Sequence, residues 1–358
     1  MPMKVTLIPG RELSDDLVAI WAELQRKNPD LVSPFFHPEF TRIVASMRND
    51  VQVAIVEDEG RIVAFFPFQR DSKKIGRAVG HPLSDYHGLI CEPNLDFDPR
   101  TLLRACQLAA WDFDHLVVSQ TPFQPYYWIR ETSPIIHLTE RFGDYVSAHK
   151  SHGSGLRIPR QLMRKLEREV GPLTFQSHVN DISVLNFIMR KKSEQYKRTN
   201  VPDLFASEWK RRTVEAVFNT QNTHFGGMLS VLSVNSDIVA ALMGIRSSDV
   251  WHAWFLGFED RFSSYSPGFL LYLKIVECGA RLGFRYLDFG KGDQPYKKRL
   301  MTDSIPLAGG SVELPSWISF RRSMDRKLRG LVRASPLAGP IRQVGRLANE
   351  LVRLHLHT

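Results

Sequence analysis

The sequence predicts an α/β (α+β) protein whose mixed sheets are flanked by helices, and three observations predict it. A chain of 358 residues is too long for one small core, so two domains of about 150–200 residues are expected. Each half then shows the same order of elements: two helices, a hairpin, a loop, a helix and a strand. Finally, the composition is that of an ordinary globular protein, 43% hydrophobic and 24% charged, which excludes a disordered or fibrous chain. No residue-level repeat accompanies the repeated order.

In the first half, "SDDLVAIWAELQRK" reads as a helix with Ser14 as its N-cap. "SPFFHPEFTRIVASM" reads as a loop and a second helix. "VQVAIVEDEGRIVAFFPFQRD" is a hairpin, two β-branched and aromatic runs around Glu-Asp-Glu-Gly. After "AVGHPLSDYHGLICEP" come a helix in "PRTLLRACQLAAW", a strand in "HLVVSQ" and an extended "SPIIHLT". A Ser/Gly-rich break and a strongly basic helix, "RIPRQLMRKLERE", separate the halves. The second half gives helices in "VLNFIMRKKSEQYKR" and "ASEWKRRTVEAVFNTQ", and a strand pair in "GGMLSVLSVNSDIVAALMGIRS". A strand "VWHAWFLGF", a helix "SPGFLLYLKIVECGARLG" and a strand "FRYLDFG" complete it. The expected units are residues 1–150, 151–315 and a basic helical tail over 316–358.

The start of the chain lacks the apolar core of a signal peptide, and no stretch approaches the roughly 18 apolar residues of a spanning helix. Cys91, Cys106 and Cys278 have no CxxC spacing, so neither a structural zinc nor a disulfide framework is expected. A cytoplasmic location is therefore expected. The net charge of +9 is concentrated late: from Arg321 onward, nine basic residues face Asp325 and Glu350, a net of +7. The tail reads as basic amphipathic helices, which suit the inner face of an anionic membrane as well as a solvated surface.

Two segments carry chemistry. In "YSPGFLLYL", Ser266 is placed to cap a helix, Pro267 suits its first position, and Gly268 allows close backbone approach. The amides of Gly268, Phe269 and Leu270 are then expected to face outward as an anion site. In "YLDFGKGDQPYKKRL", a strand empties into two glycines, a carboxylate and a cationic cluster. That strand end and that helix start should share one sheet edge, where ligands of α/β sheets bind. There is no GxxxxGK, HExxH, strand-flanked GxSxG or GxGxxG, which removes support for kinase, hydrolase and dinucleotide-binding readings.

The order of elements matches the acetyltransferase fold known as GNAT, in tandem. The sequence further resembles the CelD-like acetyltransferases, named for cellulose biosynthesis and related to the FemAB/FemX transferases. The resemblance runs from about Ser33 to Leu307. It rests on "SPFFHPEF", "GRIVAFFPFQR", "GHPLSDYHGLI", "FDHL", "MRKLEREVGPLTF", "KSEQYKRTNVPDLF", "YSPGFLLYL" and "DFGKGDQPYKKRL". The usual Q/R-x-x-G-x-G/A signature is replaced by Tyr265-Ser266-Pro267-Gly268.

The resemblance implies an N-acyltransferase using acyl-CoA, acetyl-CoA first, on an amino sugar of exopolysaccharide or envelope glycan synthesis. The acceptor would be a small molecule or lipid-linked. The second half would hold the donor at Tyr265, Ser266, Gly268, Phe269 and Leu270, while the first half, a degenerate copy, shapes the acceptor side. Acylation of an amine needs a base, oxyanion donors and an acid for the leaving thiolate. Asp293 is the expected base or amine-orienting group, with Asp288 and Glu194 as the alternatives, Tyr296 the acid and Lys297 the stabiliser of anionic charge. Asp85, Tyr86, His87, Glu194, Tyr196, Lys197 and Asp288 are expected on the acceptor side. No metal is expected. Two alternatives remain: a Fem-like transferase using aminoacyl-tRNA, the only reading with a nucleic-acid partner, and a non-catalytic scaffold at the membrane.

Overall fold

The computed structural model describes residues 4–138, 142–151, 157–292, 294–316 and 321–322. The first half runs β1 (Lys4–Pro9), α1 (Asp15–Lys27), α2 (Pro38–Met47), β2 (Val51–Asp58), β3 (Arg61–Arg70), β4 (Ile75–Arg77), β5 (Ile90–Cys91), α3 (Pro99–Ala105), β6 (Ala110–Val117) and β7 (Tyr127–His137). Ser14 caps α1, its hydroxyl accepting from the Leu17 amide at 3.4 Å. The β2/β3 hairpin turns on Glu59 and Gly60, at φ 49 and 79, the left-handed pair that two-residue hairpins favour.

The remainder runs α4 (Phe142–Ser151), α5 (Arg157–Glu169), β8 (Leu173–Gln176), α6 (Ile182–Arg198), α7 (Glu208–Asn219), β9 (Phe225–Val234), β10 (Asp237–Ser247), β11 (Val250–Phe258), α8 (Pro267–Gly279), β12 (Tyr286–Asp288), α9 (Pro295–Leu300) and β13 (Asp303–Glu313).

These strands join one sheet, in the order β1-β2-β3-β4-β6-β13-β7-β12-β11-β10-β9-β8, with β5 beside β3. The order reads alike from both ends: β1-β2-β3-β4-β6 answers β8-β9-β10-β11-β12. At the centre the halves exchange their last strands, β13 lying against β6 and β7 against β12. The two also pair with each other. Among the described residues each half contains one parallel strand pair, β4/β6 and β11/β12.

One face carries a core shared by both halves, with Trp21, Phe35 and Phe40 alongside Leu185, Val214 and Phe225. On the other face, α8 buries Leu270, Leu271 and Ile275 over Trp251 and Leu287, while α3 buries Leu102 and Leu103 among Phe66 and Trp111. Burial of these side chains, each worth about 1.5–3 kcal/mol, holds the layers together.

The structure departs from the sequence reading at one helix end and in two elements that the sequence did not suggest. The helix expected through Trp111 stops at Ala105, because Gln107 takes a left-handed φ of 56 and Ala110-Trp111 enter β6. β13 and α9 were not expected. β13 also crosses into the first half, so the sheet does not break at residue 150. Of the basic tail, residues 317–320 and 323–358 lie outside the described residues. Among the described residues no helix is long and apolar enough to cross a membrane, and all three cysteines are buried thiols.

Candidate active site

β11 and β12 pair over three positions, Val250 with Tyr286, Trp251 with Leu287 and His252 with Asp288. Beyond His252, β11 continues to Phe258 beside β10, so the two parallel strands part at the His252–Asp288 pair. Strand alternation sends Trp251, Leu287 and Phe289 to the α8 face. His252 and Asp288 therefore point to the opposite face, where a loop of the first half meets them.

That loop brings in Leu83, whose carbonyl accepts from Trp254 Nε1 at 2.7 Å, and then Asp85, Tyr86 and His87. Asp288 is fully buried and fully bonded. Tyr86 donates its hydroxyl to Oδ2 at 2.5 Å, and Ser133 of β7 and the Gly290 amide donate to Oδ1 at 2.5 and 2.8 Å. His252, also fully buried, stands between two carboxylates. Its Nε2 is 2.8 Å from Asp85 Oδ2 and its Nδ1 is 3.6 Å from Asp288 Oδ2.

Two further histidines extend the contacts from Asp85. His115 Nε2 lies 3.5 Å from Asp85 Oδ1, and its Nδ1 lies 3.0 Å from Asp114 Oδ1. His87 Nε2 reaches the same Asp114 oxygen at 3.5 Å. Lys291 donates to the Asp114 carbonyl at 2.9 Å and pairs with Glu131 at 2.8 Å. A cleft of about 160 Å³ opens here, lined by Arg77, Asp112, Asp114, Trp128, Glu131 and Lys291 among others.

Burial alone would lower the His252 pKa, but the carboxylates of Asp288 and Asp85 outweigh it and raise it to about 9. Burial likewise opposes the charge on Asp85, yet the hydrogen bond and charge of His252, helped by His115 and Lys297, bring it down to about 2. Asp288 is lowered in the same way, against its burial, by His252, Ser133 and Tyr86. At neutral pH the set is thus an imidazolium between two carboxylates. Asp85 is the member that meets solvent, its side chain 27% exposed.

The loop after β12 is shaped for this packing. Gly290 sits at φ 69, and a Cβ there would come within 2.8 Å of Asp85 Oδ2. Lys297, buried on α9, donates to the carbonyls of Gly290 and Lys291 at 2.9 and 3.1 Å and so clamps the loop. Asp293 lies outside the described residues. Tyr296 stacks on Tyr272 at 5.8 Å on the α8 side, and burial raises its pKa, so it keeps its proton. Tyr196 is half-buried near the charge of Asp85, with Lys192 Nζ 5.6 Å over its ring. Burial and the charge of Lys297 lower Lys192 to about 8.

The structure places the remaining expected residues as follows. Tyr86 and His87 are buried rather than open to an acceptor, because the loop that carries them packs onto β12 and β6. Glu194 faces solvent and pairs with Arg190 at 3.0 Å and Lys191 at 3.5 Å, and Lys197 is exposed on the same helix. The donor turn also differs. Ser266 precedes α8 in the left-handed region, φ 53, and its side chain caps nothing. Its carbonyl takes the amides of Phe269 at 3.0 Å and Leu270 at 3.2 Å, so these two amides do not face outward.

Around that turn, Gly268 packs on Leu256 of β11, and Leu270 is buried. Tyr265 donates to Glu169 at 2.7 Å, beneath Lys165. Arg299 lies 5.8 Å over the ring of Phe269. An anion at this edge would therefore meet Arg299 and Lys165 more than backbone amides.

His252, Ser133, Asp114, His115, Glu131 and Lys291 were not foreseen as site residues. The available signal was a histidine at a strand position facing away from the apolar set of "VWHAWF", with an aspartate at the matching place in "YLDF".

A family model described as an acetyltransferase (GNAT) domain matches residues 156–298. The structure resembles FemX, at 8% identity and a TM-score of 0.56, over 86% of this chain and 96% of that one. It also resembles the C-terminal DUF2156 domain of a protein named as a lysylphosphatidylglycerol synthetase from Agrobacterium fabrum. There the identity is 13% and the TM-score 0.51, over 86% of this chain and 97% of that one. A tandem GNAT protein from the clavulanic acid biosynthesis pathway gives 10% and 0.50, over 88% of this chain and all of that one (100%). No curated protein matches the sequence. At such identities the likeness is one of fold alone, and on that ground the chain has an α/β GNAT-like fold, similar to those of FemX, the DUF2156 domain and the tandem GNAT protein.

Proposed function

We propose that the chain is an N-acyltransferase that moves an acyl group, acetyl first, from acyl-CoA to the amine of an amino sugar used in exopolysaccharide or envelope glycan synthesis. The observation that carries the acyl-transfer reading is the parting of β11 and β12 at His252 and Asp288, with a partly exposed carboxylate, Asp85, beside His252. The sugar class rests on the sequence resemblance to CelD-like acetyltransferases.

The carrier supplies an activated thioester carbonyl. Arg299, Lys165 and the Gly268 amide are the groups at the start of α8 that suit its phosphates. The amine nitrogen forms the new C–N bond as the C–S bond breaks. Asp85, held near 2, is too weak a base to deprotonate a resting ammonium at neutral pH. Its role is to orient the amine and take the proton as bond formation acidifies the nitrogen. The amine therefore enters as the free base, its first proton already lost to solvent. Tyr296, kept protonated, delivers a proton to the departing thiolate, and the resting state returns when Asp85 gives its proton to solvent and Tyr296 takes one back. Lys297 and Gly290 hold the loop between these groups.

The test is thiol release from acetyl-CoA in the presence of glucosamine and related amino sugars. Wild-type turnover that disappears in a folded Asp85→Asn variant supports the reading. Absence of both turnover and acyl-CoA binding by calorimetry sinks it. A second reading, transfer from aminoacyl-tRNA, is favoured by the exposed Arg160, Arg164, Lys165 and Arg168 of α5. It calls for tRNA binding that weakens steeply with salt.

A further inference from the structure

The geometry points to a binding site for a divalent transition metal, zinc in the first instance, formed by His87, Asp114 and His115 beside the cleft that Asp114 lines. One ligand atom from each of these side chains lies within 4.8 Å of the other two. The carboxylate oxygen Asp114 Oδ1 is 3.0 Å from His115 Nδ1 and 3.5 Å from His87 Nε2. Ligands at ordinary zinc distances stand about 3.3 Å apart along a tetrahedral edge, so both spacings suit a shared ion. Both imidazoles are buried, and neither of these two nitrogens has a hydrogen bond of good geometry. Buried polar atoms are seldom left so.

The surroundings favour the same reading. Asp85 Oδ1 lies 3.5 Å from the far nitrogen of His115, the carboxylate–histidine arrangement that orients metal-binding imidazoles. The amide of His87 donates to the carbonyl of His115 at 3.0 Å, fixing one ligand's backbone to the other's. The Asp114 carboxylate is divided between neighbours: Oδ1 faces the two rings, while Oδ2 lies 3.9 Å from Lys291, whose charge Glu131 answers at 2.8 Å.

Two imidazoles and one carboxylate leave coordination positions open, as at catalytic rather than structural sites. Asp114 also lines the cleft, so those positions would serve an oxygen ligand carried by a molecule bound there. One interaction is lost. The Asp114 amide approaches His87 Nδ1 at 3.4 Å, and a metal on Nε2 requires the ring proton at Nδ1.

The full-length protein, stripped with chelator, is titrated with Zn²⁺ by calorimetry. One ion per chain with a dissociation constant of about 1 µM or tighter is expected. Asp114→Asn, half-exposed and isosteric, and His115→Ala should each weaken it by about 100-fold, and Asp85→Asn by about 10-fold. Circular dichroism confirms that each variant folds. Co²⁺-loaded protein should show visible ligand-field bands that Asp114→Asn removes. No saturable binding, or affinity and bands unchanged in Asp114→Asn, overturns the assignment, because any ion bound would then sit elsewhere.

Discussion

His252 Nε2 lies 2.8 Å from Asp85 Oδ2, joining a buried strand of the second half to a loop of the first. The link is electrostatic, and it ties stability to pH. The folded pKa of His252, about 9, stands above the ordinary 6.5. Its contribution is therefore complete below pH 6.5 and is lost as pH rises through about 9. That shift corresponds to on the order of 3 kcal/mol. Asp85 behaves oppositely, contributing above pH 3.8 and losing it as pH falls towards about 2. Urea unfolding at pH 6 and pH 9 should show the alkaline loss in wild type and a much flatter response in His252→Gln. Equal slopes would show that His252 is neutral in the folded protein.

Gly290→Ala should damage both stability and activity. The left-handed φ of 69 costs an alanine about 1–2 kcal/mol, and its Cβ would press on Asp85 Oδ2. Moving that carboxylate by a fraction of an ångström should lower kcat/KM by about ten-fold or more. Gly283→Ala, at φ 86 with nothing within 4 Å of its Cβ, is the control: it carries the backbone strain without the collision. Matching activity losses in the two variants would remove the argument from Asp85.

Asp288 is a buried charge with its acceptors filled, so removing a donor and removing the acceptor should differ. Tyr86→Phe takes away one hydrogen bond to a carboxylate, about 1.5–3 kcal/mol. Asp288→Asn breaks the buried ion pair with His252 and should cost about 3–5 kcal/mol. Thermal and denaturant unfolding of the two variants decides this. A Tyr86→Phe loss as large as that of Asp288→Asn would mean the tyrosine supports packing more than charge.

Much of the scaffold around this site could be read directly from sequence. β11 occupies the expected "VWHAWFLGF", and α8 begins at the expected Ser-Pro-Gly, because local periodicity and turn chemistry decide both. β13 could not be read: "DSIPLAGGSVE" contains a proline and paired glycines, the composition of a turn. It is a strand because β6 and β7 supply backbone partners on both sides. The site was harder still. A single histidine in an apolar strand is usually a satisfied core residue, and its partner Asp85 is 167 positions away. Only the packing of one half on the other reveals the pair, and the same packing buries Tyr86 and His87, which the sequence placed on an open loop.

Tyr296→Phe should separate chemistry from binding. Its phenol stays protonated through burial and stacks on Tyr272, which the phenylalanine ring would preserve. If it protonates the leaving thiolate, kcat should fall by about 10²-fold with little change in the KM for acyl-CoA. Steady-state rates with varied donor test this, and wild-type kcat in the variant would hand the acid role to another group.

The exchange of β7 and β13 predicts that neither half folds by itself. Residues 1–138 alone lack β13, which pairs with both β6 and β7, and residues 157–322 alone lack β7, the neighbour of β12. Each fragment would expose long unpaired strand edges, which favour aggregation. Ser133, on β7, would also be missing from the Asp288 carboxylate. Expressed separately, each fragment should aggregate or lack a cooperative melt. Expressed together, they should co-purify as one complex with the far-ultraviolet circular dichroism of the intact chain. A soluble 1–138 fragment melting cooperatively near the intact protein would mean that the first half is complete without β13, and that strand exchange contributes little to its stability.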